Sequence, residues 1–324
     1  MDKIASTNQA NSILSDTSPG IYTYCLARTP VSFPRTIIGI DGVHEVYSVE
    51  QDGVFAVLSP VSLKEYNEET LENNMTDVAW LAPKAKRHEE IIEFVMTHET
   101  SNQHEISTFP LSPPPPISSS FSIGSKGEVE RGRLEGKNIT EQYYTPVVPL
   151  RFCTIYKTLE GLFKAVTPHK EKILNFLDYT ADKTEWSVKV FCDKTIFVKY
   201  SDKNREPSAT TVQTSLLPGE AYLLAKKMRK IKEENFKQDV QMYLKDIDFT
   251  LSQFADSCRF LQCTDKSIHG RPLDMVMNTA FLVEQQTFNM FKDTLDMLAE
   301  KYRNEGLAFE FSGPWPPYNF CPAL

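Results

Sequence analysis

Residues 184–312 follow a rhythm that few folds accept. WSVKVFC alternates Trp186, Val188, Val190 and Cys192 against Ser187 and Lys189, the period of two that makes a half-buried strand. LLPGEAYLLAKKM then opens a helix at Pro218, a favoured first helical residue, with Ala221, Leu224, Met228 and Ile231 as its expected buried set. The set jumps five places to Phe236 and continues through Val240, Tyr243, Ile247, Leu251 and Phe254. The helix therefore either breaks near Glu233 or rotates its buried face there. CRFLQC and LDMVMNTAFLV read as two strands. Phe288, Phe291, Leu295, Leu298 and Tyr302 define a second amphipathic helix that Gly306 closes, and LAFEF is a final strand with Leu307, Phe309 and Phe311 on one side.

Strand, helix, strand, strand, helix, strand is the split βαβ order of ferredoxin-like domains, an antiparallel sheet with helices on one face. The upstream half predicts a second, mixed α+β domain. IYTYCLA, VHEVYSV and VFAVLS are short β-branched and aromatic runs, and Asp52-Gly53 between the last two is a hairpin signal. Val78, Leu81, Ala85, His88, Ile92 and Val95 mark one apolar helix face with Thr76 as its N-cap, which places His88 among aliphatic neighbours as a buried, hydrogen-bonded structural histidine. TPVVPLRFCTIY is a strand, followed by helix through Leu159, Leu162, Phe163, Val166, Ile173, Leu174 and Leu177 with a boundary or kink at Pro168. The expected organisation is a flexible leader over 1–18, an N-terminal α+β domain over 19–182, and a C-terminal ferredoxin-like domain with its tail over 183–324. A Pro- and Ser-rich stretch at 100–142, with four consecutive prolines and no periodicity, reads as a flexible insertion in the first domain.

Charge and cysteine usage narrow the function. With 35 Lys+Arg against 43 Asp+Glu the chain carries a net charge of -8, the wrong balance for gripping phosphates, so nucleic acid is not an expected partner. No uncharged apolar run reaches the roughly 18–20 residues of a bilayer span, and the N-terminus lacks the basic and apolar regions of a secretory signal, so no membrane association is expected. The 6 scattered cysteines, without a CxxC pair, read as thiols of a reducing compartment, which predicts a cytoplasmic protein.

No catalytic or cofactor motif converges. GxSxG, GxxxxGK[ST], strand-borne GxGxxG, HExxH and EF-hand patterns are all missing from the sequence, so no catalytic residue, cofactor or metal is assigned. Cys258, Cys263 and His269 fall one ligand short of a zinc set. Asp246 and Asp248 diverge by about 200° on a helix and read as solvated. No RNA-binding aromatic motif appears, and Lys226, Lys227, Arg229, Lys230 and Lys232 read as a solvated basic helix face.

The C-terminus is the unusual segment. Gly313, Pro314, Trp315, Pro316, Pro317, Tyr318, Asn319 and Phe320 combine three prolines and a glycine, which stiffen an extended backbone, with aromatics that must cover a surface or be covered. Such a tail either folds back on the core or the domain interface, or anchors a partner. Pro314, Trp315, Pro316, Pro317, Tyr318 and Phe320 are thus the structural or partner-interface candidates, and the fold-back reading places Trp315 and Tyr318 together against the domain junction.

GPWPPYNF directly after LAFEFSG resembles the C-terminal signature of the gas vesicle protein L/F family. VVPLRFCTIY, EWSVKV, LPGEAYLLAKK and the Ala82–His88 helix with its His-Glu pair extend the resemblance, in the family's order, over most of residues 21–320. Cys153 departs from it, standing where glycine is common after Arg-Phe, and the 100–142 stretch looks inserted. The resemblance implies two α+β domains, the second ferredoxin-like, and a non-enzymatic accessory protein of gas vesicle formation. Its implied partners are the small hydrophobic shell protein and other gas vesicle accessory proteins, and its implied place is the cytoplasm, in association with gas vesicles. The alternative is a cytosolic enzyme or small-molecule sensor using a cleft between the domains.

Overall fold

In a computed structural model, residues 19–97, 144–204 and 218–323 are described. The leader at 1–18 and the whole of the 100–142 stretch lie outside them. The described chain forms two compact units. The first holds residues 19–97, 144–184 and the tail from Trp315, and the second holds 185–204 and 218–314. The tail thus falls with the first unit, whereas the sequence groups it with the C-terminal domain.

The first unit is a sheet of β1 (Pro19–Ala27), β2 (Tyr47–Gln51), β3 (Val54–Ser62), β4 (Val147–Pro149) and β5 (Ile155–Tyr156). Its order is β2-β3-β1-β4 with β5 also on β1, and every pairing is antiparallel. Asp52 and Gly53, at φ 56° and 81°, make the two-residue turn of the β2–β3 hairpin, where positive φ at both positions matches the twist of the strands. Both faces of this sheet are buried. On one, Tyr22, Tyr24, Val57, Val61 and Val147 pack with Ile91, Ile92, Val95 and Met96 of α2 (Val78–Thr97). On the other, Leu26, Val54, Ala56, Leu58 and Val148 meet Leu162 and Val166 of α3 (Leu159–Val166) and Ile173, Phe176 and Leu177 of α4 (Lys170–Tyr179). A bulge between Thr23 and Cys25 lets consecutive Tyr24 and Cys25 share one face, which resets the alternation along β1.

Local details depart from the sequence reading. A short α1 (Glu68–Asn74), capped by Asn67, precedes α2. The cap of α2 is Asp77, whose Oδ1 accepts from the Ala79 N–H at 2.9 Å, while Thr76 instead donates back to the Asn73 carbonyl. Val78 stays exposed because the first turn of α2 runs past the core. Pro168 falls in a 3-10 turn between α3 and α4, which agrees with its boundary reading.

The second unit holds β6 (Lys183–Cys192), β7 (Ser257–Phe260), β8 (Asp274–Glu284) and β9 (Leu307–Trp315) in the order β7-β8-β6-β9. The alternating residues of β6 point where the pattern sends them. Trp186, Val188, Val190 and Cys192 join Met277, Phe281, Val283, Leu307 and Phe311 under α6 (Pro218–Ser252) and α8 (Phe288–Tyr302). Two further helices, α5 (Lys194–Asn204) and the single turn α7 (Lys266–His269), interrupt the simple strand-helix rhythm. Helix α6 does not break near Glu233; it runs unbroken for 35 residues. Only its C-terminal half is packed, through Val240, Ile247 and Leu251, so the expected burial of Leu224, Met228 and Ile231 is not found. Asp246, read as solvated, accepts from Lys301 Nζ at 3.0 Å and from the Tyr302 hydroxyl, tying α6 to α8.

Candidate functional site: the anchored tail and its polar core

The tail begins as the end of β9. Gly313 takes φ 137°, and a Cβ there would lie 2.8 Å from Trp186 Cε3 and 3.0 Å from the Glu185 carbonyl, so only glycine fits beside the Trp186 ring. Trp186 in turn stacks on Phe311 and Phe288, with ring centroids 4.8 and 4.5 Å away. The Gly313–Pro314 peptide bond is cis.

Beyond Trp315 the chain turns instead of staying extended. The Tyr318 N–H donates to the Pro316 carbonyl at 2.6 Å, and the Phe320 and Cys321 N–H groups both donate to the Pro317 carbonyl. Tyr318 packs against the cluster under α2, whereas Phe320 and Cys321 pack against the cluster under α3 and α4. Those clusters occupy opposite faces of the first sheet, so the tail touches both layers. The Tyr318 hydroxyl donates to Glu89 Oε1 at 2.9 Å, and Lys172 Nζ donates to the Ala323 carbonyl at 2.6 Å. Burial pushes the Glu89 carboxyl above the usual carboxylate range, while the bond from Tyr318 pulls it back.

Burial is uneven along the motif. Pro316 and Pro317 are buried, Pro314, Tyr318 and Phe320 are half-buried, and Trp315 is 41% exposed. The sequence expects Trp315 and Tyr318 to dock together. Instead the prolines take the covering position against the protein, and the turn that follows them carries Tyr318 and Phe320 inward while the larger ring faces outward.

Behind Glu89 lies a buried polar network. His88 is 1% exposed, with its Nδ1 2.9 Å from the Tyr22 hydroxyl. That hydroxyl also accepts from the Cys153 N–H at 2.9 Å. Burial lowers the ring's pKa to about 4, with the Leu150 carbonyl pulling the other way. The ring lies against those of Tyr22, Tyr24 and Phe152, aromatic where the sequence pattern predicts aliphatic neighbours. Tyr24 Oη accepts from the Ile40 N–H at 2.7 Å and shares a 2.7 Å bond with Ser59 Oγ. Tyr66 Oη donates to the Ile40 carbonyl and accepts from Lys84 Nζ at 2.8 Å, and that ammonium lies 5.0 Å over the rings of both Tyr66 and Trp80.

Cys153 closes the network at φ 63°, the left-handed region where a side chain is strained and glycine is not. A glycine at this position would carry no such strain. Burial pushes the Cys153 thiol up to about 11, against the pull of Lys84, so the sulfur stays protonated and packs as an apolar group. Sequence reasoning missed Glu89 and Tyr22. The adjacent His-Glu pair and the Tyr-x-Tyr spacing of β1 were the only signals for them.

Among the described residues, no group of three or more His, Cys, Asp and Glu side chains is placed to hold a metal ion. Cys258 pairs weakly with Ser252, and His269 Nδ1 accepts from the Arg271 N–H while its ring meets Phe191 edge-on. No described helix is long and apolar enough to cross a membrane.

A family-wide sequence profile described as "Gas vesicle synthesis protein GvpL/GvpF" matches residues 20–101 and 138–322. Gas vesicle protein L from Streptomyces sp. (strain CB03234) is 22% identical over 266 residues, covering 82% of this chain and 79% of that protein. The crystal structure of gas vesicle protein GvpF from Anabaena sp. PCC7120 is similar in fold, with a TM-score of 0.62 at 17% identity over 95% of this chain and 100% of that one. GvpF from Microcystis aeruginosa gives 0.58 at 18% identity, over 94% and 99% of the two chains.

Proposed function

Since the chain belongs to the GvpL/GvpF family of gas vesicle synthesis proteins, we propose that it is a non-enzymatic accessory protein that binds the small hydrophobic shell protein through a surface centred on Trp315. The observation that carries this reading is the division of labour in the tail. Tyr318 and Phe320 are engaged by the first unit's core, Pro316 and Pro317 are buried, and Trp315 is presented outward between β9 and that anchored turn. A rigidly mounted indole that is 41% exposed loses little entropy on docking and offers about two-fifths of the roughly 150–250 Å² an aromatic side chain can bury, the usual character of an interface anchor.

The chemistry of the proposed partner fits. An apolar subunit destined for a β-rich wall aggregates before assembly, and a protein with an apolar docking point would hold or nucleate it. Other gas vesicle accessory proteins are further partners, and the site of action is the cytoplasm at the vesicle. The strand order β7-β8-β6-β9, with α6 and α8 on the Trp186 face, supports the ferredoxin-like reading of the second unit.

The test is flotation. Gas vesicles are isolated from cells expressing the tagged chain and probed for it before and after a urea wash. Recovery in the floating fraction of the parent, and its loss for Trp315→Ala at equal expression, is expected. Equal recovery of both chains contradicts the assignment of Trp315.

A further inference from the structure

The N-terminal half of α6 has a surface that the tail reading does not use. Residues 222–234 are exposed on every side of the helix, a rod of about 20 Å. Along it, Leu224, Met228 and Ile231 recur at spacings of four and three and are 47%, 50% and 40% exposed. That spacing is the seam of a two-helix coiled coil, and the positions flanking it are Ala225, Lys227, Lys232 and Glu234, of which Glu234 already pairs with Lys230 at 4.0 Å. Lys226, Arg229 and Lys230 add to the charge and outnumber Glu233 and Glu234, so the arm is net basic in a chain of net charge -8.

We propose that this arm is a docking helix for an acidic amphipathic α-helix of another polypeptide, which pairs its apolar seam with Leu224, Met228 and Ile231 and its flanking carboxylates with Lys227 and Lys232. Three observations select that occupant. The apolar stripe is narrow, because Tyr222 and Leu223 lie off it and lysines border it on both sides. A helix lying in a lipid interface needs a broader apolar face. A second copy lying parallel would set Lys227 against Lys232 on both sides of the seam, whereas flanking charges in coiled coils select partners of opposite sign. The seam is also complete without its own core: the packed residues of α6 begin only with Phe236 and Val240, so occupying the arm disturbs nothing in the second unit. This inference does not rest on the shell protein being the tail's partner.

The experiment uses the full chain and two synthetic three-heptad peptides with Leu at both seam positions, one flanked by Glu and the other by Lys, each fluorescently labelled. Anisotropy titrations should show the acidic peptide binding at least roughly tenfold tighter than the basic one, with the preference shrinking as salt rises. Met228→Asp should remove binding. Lys227→Glu combined with Lys232→Glu should reverse the preference. Because the arm is exposed, all variants should keep the parent's circular dichroism and melting curve, and a lowered melting temperature would show that the arm packs within the chain and overturn the proposal. It is equally overturned by no binding of either peptide, or by indifference between them. Concentration-dependent self-association in sedimentation that Met228→Asp abolishes would assign the seam to a second copy instead. Partition into phosphatidylserine vesicles that the acidic peptide does not compete would assign it to a lipid surface.

Discussion

The Tyr318 hydroxyl donates to Glu89 Oε1 at 2.9 Å, joining residues that lie 229 positions apart and fixing the tail to α2. The bond makes two parts of the sequence signature, the His-Glu pair of α2 and the C-terminal aromatics, into one structural element. Removing its donor leaves a partly buried carboxylate with less compensation.

Tyr318→Phe keeps the ring's packing and deletes only that donor. A hydrogen bond to a charged group contributes about 1.5–3 kcal/mol, and the variant should lose stability in that range by urea denaturation. Glu89→Gln should lose less, since the neutral amide carries a smaller desolvation cost. Equal stability of Tyr318→Phe and the parent would mean that the tail is not held by this bond.

His88 gives a pH prediction with a definite sign. Its folded pKa of about 4 lies below its ordinary value of 6.5, so between those values the unfolded chain binds a proton that the folded one refuses. The stability that His88 contributes is fully present above pH 6.5 and is lost as pH falls to about 4, by about 3 kcal/mol in all. Ring-proton NMR on the folded protein should show no His88 titration above about pH 5. A midpoint near 6.5 would contradict the buried neutral ring.

At Cys153 the backbone conformation, not the thiol, sets the outcome. The left-handed φ of 63° costs about 1–2 kcal/mol for a residue with a Cβ. Cys153→Gly relieves that cost, loses the sulfur's packing and adds freedom to the unfolded chain, so its stability should stay within about 1 kcal/mol of the parent. Cys153→Val adds β-branching in the same conformation and should lose more than about 2 kcal/mol. Thermal melts of the two variants, measured side by side, check the order.

Gly313 makes the corresponding prediction for the second unit. A methyl group at this position meets the Trp186 ring at 2.8 Å, so Gly313→Ala should displace that ring from its stack on Phe311 and Phe288. The expected cost is about 1–3 kcal/mol, with a change in near-ultraviolet circular dichroism. An unchanged aromatic signal would show that the close approach is not maintained in solution.

Much of the fold was legible because burial follows periodicity where one element has one apolar face. Trp186, Val188, Val190 and Cys192 on β6, and Leu295, Leu298 and Tyr302 on α8, were readable for that reason. In the first unit both faces of the sheet are covered, so β1 carries no simple alternation and its bulge at Thr23/Cys25 was hidden. The apolar residues of α6 before Glu233 misled for a different reason: amphipathic spacing identifies a face but not what covers it, and here the second unit's core ends near Phe236. The roles of Glu89 and Tyr22 were invisible because they arise from pairings across most of the chain.

The central claim, that Trp315 serves a partner while Tyr318 serves the fold, is tested most directly by capture of purified shell protein on immobilised chain, with melting curves recorded for the same samples. Trp315→Ala should keep a cooperative melt and, at temperatures where it is folded, should lose most of the captured shell protein, because the indole is 41% exposed. Tyr318→Phe should melt several degrees lower while retaining capture at temperatures where it is folded. The account is contradicted if Trp315→Ala captures as much shell protein as the parent.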